Sequence, residues 1–183
     1  EKIEQAKSSG RLRLFIIQNS ALKFGISLMV IGFFKKIVFA DNIAPLVNNI
    51  FSNPMGMESF SIILGSIAFG IQVYCDFSGY SDIAIGAAAI LGFKIPLNFN
   101  KPFFATSPSD FWSRWHISLS SWVRDYLYFP LALKHRRFSS IAFPSLLLSM
   151  VVMGLWHGAS WNFVVWGVFH GIFLVVFTIL RRK

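Results

Sequence analysis

The chain has 183 residues, 55% of them hydrophobic, 17% aromatic and only 14% charged. Soluble domains carry about 25% charged residues and rarely expose the apolar patch that this composition would leave outside, so a bilayer is the better solvent. The net charge of +9 does not point to nucleic acid, because the basic residues sit in short loops and at the ends of apolar runs, where membrane proteins place cytoplasmic Lys and Arg.

Glu1–Arg13 is polar and mixed in charge, without the basic start and short apolar core of a secretory signal. The chain also begins without Met, and we expect a fragment of a longer polytopic protein. Residues 20–40 form the first expected span, with Lys23, Lys35 and Lys36 near its ends, where long stems reach the interface. Residues 41–58 hold Pro45, Asn48, Asn49, Asn53, Pro54 and Gly56, a turn-rich loop with room for one short helix. The second expected span is 59–75, with Gly65 and Gly70 permitting close packing.

A third span is expected at 76–91. It opens on the polar run Asp76–Asp82, which is expensive inside so apolar a frame and needs a reason to be there. Gln72, Asp76 and Tyr80 fall on one helical stripe, which should face other helices or a wet cavity. The lone Cys75 reads as a small buried residue.

From Gly92 to Arg137 the basic residues Lys94, Lys101, Arg114, Arg124, Lys134, Arg136 and Arg137 face only Asp110 and Asp125, which places this stretch on the cytoplasmic side. Orientation at the first span stays open, since Lys23 opposes Lys35 and Lys36. Ser107–Asp110 is positioned to cap a helix entered at Phe111. Its dense Trp and Tyr mark residues 109–130 as interfacial or re-entrant. No Asp, Glu, Lys or Arg lies between Arg137 and Arg181, so two more spans fit, at 138–157 and 162–180. Both carry glycines four apart, Gly154/Gly158 and Gly167/Gly171, a spacing that lets helices approach closely.

Four histidines are present. His135 belongs to a basic loop. His116, His157 and His170 lie in apolar, aromatic surroundings, where burial would hold an imidazole neutral and ready to accept a proton. His170 reads as a hydrogen-bonding residue of an apolar helix. For His157, beside Trp156, Ser160, Trp161 and Asn162, a functional and a structural reading stand level. His116, next to Arg114 and among tryptophans, leans slightly towards structure. Zinc would need three or four converging ligands; His157 and His170 are thirteen residues apart and meet only if the chain turns near Gly158–Asn162, and no Cys pair or HExxH pattern is present. No metal is expected. Gly-x-Ser-x-Gly, P-loop and dinucleotide patterns are also absent. An ion path through Asp76, Asp82 and the histidines, as in a proton-coupled transporter or channel, is the main alternative to an enzyme. A purely structural membrane scaffold is a third reading.

Several linked motifs carry a family resemblance. They are the run Tyr74–Gly86 (YCDFSGYSDIAIG), Asn98-Phe99-Asn100-Lys101-Pro102-Phe103, Asp110–Ser120 (DFWSRWHISLS) and Gly154–Asn162 (GLWHGASWN). Gly32-Phe33-Phe34-Lys35-Lys36 and Ala40-Asp41-Asn42 belong with them. Together they resemble the membrane-bound O-acyltransferase family, in its bacterial alginate O-acetyltransferase-like branch, with the teichoic-acid D-alanyl transfer proteins as cousins. The resemblance implies an all-α, polytopic transmembrane bundle of which this chain is a central to C-terminal part, set in the bacterial cytoplasmic membrane. It implies an O-acyltransferase that moves an acyl group, expected to be acetyl, from a cytoplasmic thioester such as acetyl-CoA. The acceptors would be hydroxyls of an exported polysaccharide such as alginate or peptidoglycan, reached directly or through partner proteins outside. No bound cofactor is expected. His157 matches the family's catalytic histidine and His116 its second characteristic polar residue. Asp76, Tyr80, Arg114 and Asn162 are candidate substrate contacts only by their place in matched motifs.

Overall fold

The computed structural model describes residues 18–134 and 142–181. The segment before Gln18, the loop holding His135, Arg136 and Arg137, and the first residues of the expected 138–157 span lie outside the described residues. Every regular element among those described is helical. They fall into two compact units, one ending at Pro96 and the other beginning at Leu97.

In the first unit, α1 (Asn19–Phe33) runs into a π-helical segment (Phe34–Ala40) and on into α2 (Asp41–Ser52). The helix expected to stop near Ala40 therefore continues to Ser52. Pro45 lies inside α2 and brings no N–H to the ladder. The Asn42 side chain supplies donors nearby, its Nδ2 reaching the carbonyls of Ile37 (2.9 Å) and Val38 (3.0 Å).

The expected spans 59–75 and 76–91 are one helix, α3 (Ser59–Ile90), of 32 residues. At 1.5 Å per residue it is about 48 Å long, more than the hydrocarbon core of about 30 Å. The Asp76–Asp82 run does not break it, because its charges are paired. Asp76 Oδ1 lies 2.7 Å from Lys36 Nζ, and Asp82 Oδ2 lies 2.6 Å from Lys35 Nζ. The Lys36 ammonium also meets Asp41 at 2.7 Å. The helix ends in a Schellman motif: Gly92 takes φ +82°, its N–H bonds Ala89 O, and the Phe93 N–H bonds Ala88 O. Along α1 and α3 the backbones touch at two glycine pairs. A Cβ on Gly32 would lie 2.5 Å from Gly79 O, and one on Gly25 would lie 2.5 Å from Gly86 O. Cys75 is free and buried.

In the second unit, a 3-10 turn (Pro102–Phe104) leads to α4 (Pro108–Arg114), α5 (Ile117–Trp122), a π-helical segment (Val123–Tyr128) and α6 (Phe129–Lys134). The expected single helix over 109–130 is thus broken. Trp115 is extended (φ −104°, ψ 127°) and His116 is left-handed (φ 43°), and two such residues in succession stop a right-handed helix. Then α7 (Ala142–His157) packs on α8 (Trp161–Arg181). A Cβ on Gly154 would collide with the carbonyl oxygen of Phe163, and one on Gly167 would lie 2.5 Å from Met150 O. The core is Val123, Met150, Met153 and Leu174, with Trp112 and Trp166 packed against it. Two described helices, α3 and α8, are long and apolar enough to cross a membrane, and α7 is a shorter apolar helix.

Candidate functional site

The second unit gathers three histidines around tryptophans. His157 closes α7, and the chain turns at once: the Gly158 N–H bonds Leu155 O, Ser160 accepts from Phe163 N, and α8 begins at Trp161. This is the turn that the sequence required for His157 and His170 to meet. Both rings now lie against Trp166, with centroids 5.2 Å and 4.7 Å away. Trp112 from α4 meets Trp166 at 5.7 Å and His170 at 5.3 Å. From the break between α4 and α5, His116 lies 6.3 Å from Trp156, which itself abuts His157 at 5.1 Å.

His157 is fixed in one useful state. Its Nδ1 lies 2.7 Å from the carbonyl oxygen of Met153, one turn back on α7. A carbonyl only accepts, so Nδ1 carries the proton and donates. In the neutral ring Nε2 is then the bare, accepting nitrogen. Phe163 stacks on the ring at 6.1 Å. The expectation of burial is not met: His157 is exposed on this chain, as are Trp156 (65%) and Trp161 (81%). His116 and His170 are half-buried. Burial, then repulsion from a charged His157, holds the His116 imidazole below its ordinary value.

His116 pays for its place with backbone strain, since a left-handed residue other than glycine costs about 1–2 kcal/mol. The helix before it is built to stop there. Ser107 Oγ accepts from Asp110 N (3.0 Å), and Asp110 Oδ2 accepts from Thr106 N (3.0 Å), a reciprocal cap at the start of α4. Asp110 Oδ1 also accepts from Arg114 Nε at 2.7 Å. The Arg114 guanidinium and then the Thr106 N–H hold the Asp110 carboxyl below the usual range. Arg114 therefore serves this pair. Asn162 opens α8, exposed, its N–H on Ser160 Oγ at 3.4 Å. Asp76 and Tyr80 belong to the first unit, where with Lys36, Phe77 and Ile83 they line an open pocket of about 350 Å³. Gln72, the third residue of their stripe, does not line it. Among the described residues, no three His, Cys, Asp or Glu side chains converge as metal ligands would.

Sequence reasoning missed the walls of the site. Trp112 and Trp166 stand four residues before His116 and His170, a spacing visible in the sequence. Missed as well was the contact of Asn98 with Ser118, twenty residues apart, which no local pattern announces.

The sequence profile of the membrane-bound O-acyltransferase family matches residues 5–183. The probable alginate O-acetylase AlgI of Azotobacter vinelandii is 45% identical over 152 residues, covering 82% of this chain and 30% of that protein. The peptidoglycan O-acetyltransferase of Helicobacter pylori is 41% identical over 155 residues, covering 85% of this chain and 29% of that protein. A teichoic acid D-alanyltransferase of Bacillus subtilis is 31% identical, covering 86% of this chain and 42% of that protein. The chain thus spans about 30% of the length of the first two relatives. The match extends across all the motifs that converge on His116 and His157, and the chain belongs to the membrane-bound O-acyltransferase family.

Proposed function

We propose that this chain carries the histidine centre of a membrane O-acyltransferase. The transferred group is an acyl group, acetyl in this branch, and the donor a cytoplasmic thioester, acetyl-CoA or a similar one. The acceptor is a hydroxyl destined for an exported cell-surface polysaccharide such as alginate or peptidoglycan. Transfer runs directly or through a partner protein outside the membrane. The names of the relatives, an alginate O-acetylase and a peptidoglycan O-acetyltransferase, support this reading. The expected setting is the bacterial inner membrane, crossed several times.

The observation that carries the mechanism is the tautomer of His157. With Nδ1–H donating to Met153 O, Nε2 is free to take the proton of an acceptor hydroxyl. As that proton leaves, the oxygen attacks the thioester carbonyl and a C–O bond forms. The C–S bond then breaks, and the leaving thiolate recovers the proton from His157. A base so placed contributes about 10²–10⁴-fold. His116, beside Trp156, positions the donor or tunes the site.

Of the candidate substrate contacts, Arg114 and Asp76 are engaged in ion pairs with Asp110 and Lys36. Asn162 and Tyr80 are exposed and stay as proposals. The ion-path reading is not favoured, since Asp76 and Asp82 are both paired to lysines and the relatives named above are transferases.

The test is His157→Ala in the full-length protein, reconstituted with labelled acetyl-CoA and its acceptor. Transfer should fall to background while membrane insertion persists. Near-normal turnover would remove His157 from the chemistry.

A further inference from the structure

His116 stands at the N-cap of α5, a position usually held by Ser, Thr, Asp or Asn, whose side chain satisfies the first free N–H groups of the helix. It makes no such side-chain bond. The donors it leaves are met by a residue eighteen positions earlier. Ile117 N donates to the backbone oxygen of Asn98 at 2.9 Å. Ser118 N and Ser118 Oγ both donate to Asn98 Oδ1, at 3.3 Å and 2.6 Å. On the other side of the break, Asn100 N donates to Arg114 O at 2.9 Å. Residues 98–100 therefore hold the chain both before and after His116, where α4 and α5 are each too short to persist alone.

We propose that Asn98 is a positioning residue for His116: it caps α5 from a distance, so the imidazole is released from capping and lies against Trp156 instead. The division of labour is chemical. A left-handed φ at a non-glycine residue does not hold itself; here it is held by acceptors on Asn98, and the ring lies against Trp156. The required group is the Oδ1 acceptor, which an aspartate also supplies and an alanine does not. This inference rests on the reading that His116 and His157 form one reactive centre.

The experiment is a double-mutant cycle on the full-length protein in proteoliposomes, with labelled acetyl-CoA as donor and with His157→Ala alongside. Asn98→Ala should lower turnover by about 10-fold or more, as expected for a displaced active-site group. Asn98→Asp should recover most of it. In a His116→Ala background, Asn98→Ala should cost less than about 2-fold further, because coupled residues are not additive. Ser118→Ala, a gentler change that removes only the 2.6 Å bond, should cost about 3-fold with His116 present and nothing without it. Losses that simply multiply, an Asn98→Ala enzyme equal to wild type, or a neutral His116→Ala would each overturn the proposal. A His157→Ala enzyme that still turns over would instead overturn the reading it rests on, so the two failures are distinct.

Discussion

Gly70→Ala and Gly86→Ala make the same change in the same helix, yet should move stability in opposite directions. Alanine is the better helix former by about 1 kcal/mol. At Gly70 an added Cβ meets nothing within 4 Å, so that gain survives. At Gly86 the Cβ falls 2.5 Å from Gly25 O and 2.8 Å from Met29 Cγ. A Cβ on Gly25 would in turn lie 2.5 Å from Gly86 O, so the contact is backbone on backbone and no side chain can swing away. Overpacking of this kind costs about 1–3 kcal/mol. The two variants should therefore differ by about 1–3 kcal/mol, with Gly70→Ala above wild type. Denaturant titration of the full-length protein in detergent micelles, followed by tryptophan fluorescence, reads the difference directly. Gly32→Ala, whose Cβ falls 2.5 Å from Gly79 O, is the independent repeat at the other touching pair. If Gly86→Ala and Gly32→Ala rise together with Gly70→Ala, the helices do not touch at these glycines and the close α1–α3 crossing is wrong.

Two further outcomes follow from the charges. Folding holds His116 below its ordinary value of 6.5, so below neutrality the unfolded chain binds more protons and stability should fall as pH drops through that value. His116→Gln should flatten that part of the stability–pH curve, and an unchanged slope would remove His116 as its source. Lys35→Ala strands the Asp82 carboxylate, whose side chain is only 17% exposed; breaking the pair should cost about 2 kcal/mol, less than a fully buried pair because water still reaches it. Lys35→Met with Asp82→Leu should recover most of that loss in the same titration, and an equal loss in the double variant would show that the pairing was not the cause.

Helix content was legible in the sequence because apolar runs of span length have few alternatives in a bilayer. The helix ends were less so. The boundary expected between 59–75 and 76–91 is absent, and the reason that the polar run needed is that Lys35 and Lys36 stand opposite Asp82 and Asp76. The pairs join residues forty and forty-seven positions apart, so no short window along the chain contains both partners. The reverse error occurred at 109–130, where an aromatic run of helical character hid two non-helical residues. Nothing in Trp115-His116 forbids a helix; the left-handed turn is held by hydrogen bonds that Asn98 accepts from Ile117 and Ser118 and that Asn100 donates to Arg114.

The same distinction explains what was readable in the site. His116 and His157 were singled out by the motifs that resemble the family, since residue types alone left both open. Their arrangement was not, because it depends on the turn at Gly158–Ser160 and on Trp156 and Trp166 reaching across it. His170 shows the consequence. Read alone in α8, it was a polar residue in need of a hydrogen bond; in the fold it shares Trp166 with His157 and Trp112 with α4. Its aromatic neighbours pack on Val123, Met150, Met153 and Leu174, so the rigidity of the histidine group is inherited from the core beneath it. An exposed imidazole can hold a fixed orientation only if something stiff stands behind it, and for His157 that support is Trp166 on one side and the Met153 carbonyl on the other.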